Sequence, residues 1–134
     1  MTLRAPVVPV SRGPDPVWCQ DRRILVRTLV QLSRPEPADA VTLARFSAAM
    51  VDYVSRGHLE VYPALLERSW APDAADTYER LAETTERLLD FSEAQWRGAE
   101  ADRDALSLVG MTLAEHFELE DALVRGAAAT PAAA

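Results

Sequence analysis

The chain has 134 residues, 49% hydrophobic and 26% charged, which suits one compact domain with a single apolar core and leaves no room for a second. Its formal charge of -7 and pI near 4.8 give a surface that repels phosphate, arguing against direct nucleic-acid binding and in favour of a basic partner. No segment has the apolar length to span a bilayer or the form of a signal peptide, so a cytoplasmic protein without a membrane partner is expected.

Residues 1–14 are proline-rich and without helical periodicity, and are expected to form a flexible tail. A first helix is predicted from about Asp15 to Ser33, with Trp18, Leu25, Leu29 and Leu32 at three- and four-residue steps. Within it Cys19, the lone cysteine, cannot form an internal disulfide or a thiolate metal site and reads as a small, buried or half-buried apolar residue. The run Arg34-Pro35-Glu36-Pro37 ends that helix, because proline lacks an N–H donor and restricts the residue before it. Asp39 is the expected N-cap of a long second helix reaching about Ser69, and Trp70-Ala71-Pro72-Asp73 makes the next break. A third helix carries Tyr78, Leu81, Thr85 and Leu88 on one stripe and fades near Gly98. The fourth starts near Asp102 or Asp104, presents Leu106, Val109, Leu113, Phe117 and Val124, and is expected to stop at Gly126, with 126–134 a flexible alanine-rich tail. No strand alternation or hairpin turn is visible. The expectation is an all-α chain, residues 15–125 forming one antiparallel, up-down four-helix bundle.

The second helix carries the most information. On a helical wheel Phe46, Met50, Tyr53, Gly57, Val61 and Leu65 share the side that should face the core. Val41, Ala48, Asp52, Ser55, Leu59 and Leu66 fall opposite. That second side mixes aliphatics with an acid and a hydroxyl, so either the bundle covers it or a partner does.

Catalysis finds little support. Neither Gly-x-Ser-x-Gly nor a cysteine–histidine arrangement occurs, and glycines are too sparse for a phosphate-cradling loop. Glu118 and Glu120 lie two apart on a helix, point away from each other, and read as a solvated acidic face. His58 and His116 lie near carboxylates, in outline like a hemerythrin-type di-metal bundle. That site needs about five histidines, and Tyr62 stands where a ligand acid would be wanted. The histidines read as packing or hydrogen-bonding residues; no metal or cofactor is expected, and the chain is not expected to be an enzyme.

The run Val51-Asp52-Tyr53-Val54-Ser55-Arg56-Gly57-His58, followed by Tyr62, resembles the Val-Asp-Tyr-x-Ser-x-Gly-His-x-x-x-Tyr signature of the Rsd/AlgQ family of sigma-factor regulators. Leu106-Ser107, Gly110, Leu113, Phe117, Leu119-Glu120-Asp121 and Leu123 resemble that family's fourth helix, Leu81, Thr85 and Asp90 its third, and Trp18 with Arg22 its first. The resemblance implies a bundle that sequesters the C-terminal, promoter-reading domain of the primary sigma factor. It also implies a binding surface that includes Asp52, Ser55 and Leu59, with Tyr62 and Arg22 counted with it from the matched motifs. Family members usually carry an aromatic where this chain has Leu59, and they have also been connected with the phosphocarrier HPr and with alarmone metabolism. A hemerythrin-like module, and an adaptor of the same fold with another protein partner, are the alternative readings.

Overall fold

In a computed structural model of the chain, the described residues are 16–34, 39–98 and 102–128. They are helical and contain no strand. The expected N-terminal tail and the Pro35–Pro37 break lie outside the described residues.

Helix α1 runs Pro16–Leu32 and buries Trp18, Leu25 and Leu32, while Cys19 is half-buried. Helix α2 runs Ala40–Arg56 and starts where Asp39 caps it: one carboxylate oxygen accepts the Val41 N–H at 3.2 Å and the other the Thr42 hydroxyl at 3.1 Å. The cap satisfies donors that the first turn leaves without a helical partner. Asp39→Ala is expected to lower stability by about 0.5–2 kcal/mol; a thermal melt with an unchanged midpoint would refute the cap's contribution.

The long second helix is not regular throughout, and this departs from the expectation. After Arg56 the chain makes a π turn, Gly57–Val61, and then resumes as α3, Tyr62–Arg68. Pro63 supplies the reason. It has no N–H to give to the carbonyl four residues back, and its ring clashes with that carbonyl, so the helix widens by one residue just before it. The Tyr62 N–H accordingly reaches back five residues to the Gly57 carbonyl. The extra residue shifts the inward stripe. It runs Phe46, Met50, Tyr53, Gly57, then Tyr62 and Leu65, all buried, while Val61, expected inside, is half-buried. The same shift turns Leu66, expected on the outer side, into a half-buried residue packed against the core.

Helix α4, Ala74–Trp96, buries Leu81, Thr84, Thr85, Leu88 and Ser92. Gly98 follows it at φ 86°, a left-handed conformation that ends helices readily only at glycine. Helix α5, Arg103–Ala128, begins where the Asp102 carboxylate accepts the Ala105 N–H at 2.8 Å. It does not stop at Gly126 as expected. Gly126 is buried inside the last turns, and its carbonyl accepts the Trp70 N–H at 3.3 Å. The absent side chain lets the Ser69–Ala71 connection lie against the helix, since a Cβ there would meet Ser69 Oγ at 2.9 Å.

The helices pack α1 on α2, α2 on α4, α4 on α5, and α3 on α5. One continuous apolar cluster fills the space between them, including Trp18, Leu25, Phe46, Met50, Leu81, Leu88, Leu113 and Leu123.

Candidate partner-binding face and the polar core beneath it

The signature on α2 and the π turn divides by direction. Asp52, Ser55 and Leu59 point to solvent, Leu59 with 79% of its surface exposed. No ion pair involving Asp52 occurs among the described residues. Tyr53, Gly57 and Tyr62 point inward and are buried. Arg22 is three-quarters buried and committed to internal partners. The five residues assigned from the resemblance thus do not form one surface: three are outward, Tyr62 is wholly internal, and Arg22 lies between.

What the inward set builds was not foreseen. Glu120 of α5, read from the sequence as part of a solvated acidic face, is 0% exposed, and so is His116 one turn before it. Glu118, two residues away, is exposed as expected. Tyr53 donates its hydroxyl to Glu120 Oε1 at 2.6 Å, and Arg22 Nη2 donates to the same oxygen at 2.8 Å. Tyr62 donates to Glu120 Oε2, and its oxygen lies 2.9 Å from His116 Nε2. His116 Nε2 is also 3.2 Å from Glu120 Oε2. On the far side of the ring, Thr84 gives its hydroxyl to the Leu81 carbonyl at 3.1 Å, leaving its oxygen to accept from His116 Nδ1 at 2.7 Å. Arg22 completes the set with a bond to the Tyr53 oxygen at 3.2 Å and a salt bridge to Asp121 at 3.0 Å. Groups from α1, α2, α3 and α5 therefore meet at one carboxylate, and α4 joins the network through Thr84 on His116.

A buried charge is tolerable only when paired and fully hydrogen-bonded, and Glu120 is both. Burial alone would push its carboxyl up, but bonds from His116, Tyr53 and Tyr62 outweigh this and hold it below the usual carboxylate range. The tyrosine hydroxyls move the other way. Burial, and then the adjacent Glu120 charge, push both Tyr53 and Tyr62 far up, so they remain donors at any physiological pH. Aromatic faces shield the cluster: the Trp18 ring stacks on Tyr53 with centroids 5.6 Å apart, and the Arg22 guanidinium sits 4.6 Å over Phe117.

Gly57 is the residue that lets Tyr62 reach this network. A Cβ on Gly57 would come within 2.7 Å of the Tyr62 ring and 2.8 Å of its hydroxyl. His58, next in the signature, bonds Thr85 Oγ1 of α4 at 2.8 Å. Burial, and then the neighbouring His116, hold its pKa below the ordinary 6.5. Both histidines thus act as hydrogen-bonding residues. Among the described residues no three His, Cys, Asp or Glu side chains converge as a metal site.

The site is therefore an outward row of mixed chemistry carried on a helix whose inward side is tied to every other helix. The partners of the buried carboxylate are buried protein groups and the three-quarters-buried Arg22. That combination defines an all-helical protein with an exposed row of mixed chemistry on its second helix. Comparison with known proteins makes the class specific. Residues 16–127 match the family described as Regulator of RNA polymerase sigma(70) subunit, Rsd/AlgQ. "Regulator of sigma D" of Sodalis glossinidius is 31% identical over 124 residues, covering 82% of this chain and 84% of that protein. The proteins of that name from Yersinia pseudotuberculosis and Yersinia pestis are 32% identical over 111 residues, covering 73% of this chain and 65% of theirs, just under two thirds. No solved structure matches the chain. The chain belongs to the Rsd/AlgQ family, a family of regulators and not of enzymes.

Proposed function

We propose that this protein is a cytoplasmic, non-catalytic regulator that binds the C-terminal, promoter-reading domain of the primary sigma factor and limits its use by RNA polymerase. An antiparallel up-down bundle is the arrangement that the helix contacts support for its scaffold. The observation that carries the proposal is the Asp52–Ser55–Leu59 row: exposed, with no ion pair among the described residues, and set on the family signature. The relatives' name, Regulator of sigma D, supports the choice of partner. A promoter-reading domain is basic because it meets phosphate, and an acidic chain of charge -7 attracts it. Asp52 would pair with a partner arginine or lysine, Ser55 would add a hydrogen bond, and Leu59 would fill an apolar pocket. The described residues include no helix long and apolar enough to cross a membrane.

Titration calorimetry with the isolated sigma domain tests the reading. Asp52→Ala is expected to weaken binding by about 2 kcal/mol or more, because it leaves the partner's charge unpaired at a desolvated contact. Leu59→Ala is expected to cost about 1–2 kcal/mol through lost apolar burial. Both variants should melt with the wild type, since both side chains are exposed. Wild-type affinity in both variants would sink the proposed contact.

A further inference from the structure

Beside the outward row lies an apolar groove between α2 and α4. Ala44, Ser47, Ala48 and Val51 form one wall, Ser92, Gln95 and Trp96 the other, and Asp52 stands at its edge. It encloses about 390 Å³, enough for one or two large side chains. Ser47 and Ser92, hydrogen-bonded to each other across the helices at 2.9 Å, close its floor. Trp96, the last residue of α4, is 88% exposed, more than any other large hydrophobic side chain among the described residues. An indole left in water beside an apolar cleft is the kind of residue that concentrates binding energy in protein interfaces.

The groove is continuous with the proposed face, because Ala48, Asp52, Ser55 and Leu59 follow one another at three- and four-residue steps along the same exposed side. Asp52 belongs to both, and no ion pair engages it among the described residues. Charge selects the occupant. A second copy of this chain would bring another -7 to that carboxylate, and an anionic lipid surface would be repelled by it. From Ala44 to Asp52 is about two helical turns, or about 12 Å. That length matches one face of a short amphipathic helix.

We propose that this groove is the second half of the partner-binding surface. It takes the apolar face of an amphipathic helix of the basic partner, with one large side chain between Ala48, Val51 and Trp96 and a neighbouring lysine or arginine on Asp52. The inference rests on the sigma-factor reading above and extends it from one helix to two.

Tryptophan fluorescence of the full chain tests it, with Trp70→Phe removing the other exposed indole and Trp18 remaining buried. Titration with the isolated promoter-reading domain should blue-shift the Trp96 emission, measured as a difference from the two separate proteins. Trp96→Ala should weaken affinity at least tenfold and Trp96→Phe less, while both melt like the wild type. Ala48→Trp, which fills the groove from its own wall, should abolish binding without loss of stability. If the wild type binds the domain but the shift is absent and Trp96→Ala binds within twofold, the groove is not part of the surface, and the regulator reading stands. If the wild type does not bind at all, that reading and the assigned occupant fall together. A Trp96 red shift on deleting residues 1–15, before any partner is added, would give the groove to the chain's own N-terminal segment and overturn the proposal.

Discussion

Glu120→Ala is expected to destabilise the protein by about 3–5 kcal/mol, a loss large enough to leave a domain of ordinary stability near unfolding at 37 °C. The reason is what remains behind. Arg22, His116 and the hydroxyls of Tyr53 and Tyr62 all direct polar atoms at this carboxylate. Its removal leaves a three-quarters-buried guanidinium and two buried phenols without their acceptor. Urea unfolding followed by circular dichroism measures the loss; a shift under 1 kcal/mol would mean that water replaces the carboxylate freely. The pH profile of the wild type carries the same signature. The folded Glu120 carboxyl titrates below its ordinary 4.5, so its stabilisation is present above pH 4.5 and drains away as pH falls further, when the unfolded chain binds the proton first. His58, held below 6.5, acts in the same direction from a higher starting point, because below 6.5 only the unfolded imidazole gains a proton readily. Stability is therefore expected to begin falling below about pH 6.5 and to fall faster below 4.5. In Glu120→Ala the lower limb should flatten.

Gly57→Ala is the second large effect, and ordinary helix propensity predicts its opposite. Alanine favours a helix over glycine by about 1 kcal/mol. Here the new methyl would lie 2.7 Å from the Tyr62 ring, a contact that real Cβ atoms do not make. The ring has nowhere to go, since it is fully buried and bonded through its hydroxyl to Glu120 and His116. Overpacking of this kind costs about 1–3 kcal/mol, and a displaced Tyr62 also loses its hydrogen bonds. We expect a net loss of about 2 kcal/mol, with faster amide exchange concentrated at residues 57–62. Equal or greater stability in the variant would show that the ring moves at little cost.

Much of this fold was legible because its punctuation is local. Prolines and Asp39 mark the helix boundaries by their own covalent chemistry, independent of what packs nearby. The π turn has a local cause in Pro63, but its consequence lies across the molecule, where it lets Tyr62 reach Glu120 of α5. Its traces were present in Pro63 and in the five-residue step from Gly57 to the next buried aromatic, but a wheel at constant pitch conceals such a step. Glu120 was misread for a related reason. It lies seven residues after Leu113, on the apolar stripe of α5, where a charge is tolerable only if distant residues supply partners. Of the candidate site, the outward row was found by both the wheel and the family signature. Tyr62 belongs to the same signature but faces inward, because one short motif serves folding with one side and solvent contact with the other.

The bond between Arg22 and Glu120 joins residues 98 positions apart in the chain. During synthesis the polar centre cannot assemble while α5 is still within or beside the ribosome, and every earlier intermediate holds Arg22, Tyr53 and Tyr62 without their common acceptor. Contacts this distant in sequence slow folding, since the connecting chain must be ordered before they return any stability. The protein should therefore become resistant to proteolysis in one late step, when its last helix docks, and chains stalled short of Glu120 should be degraded.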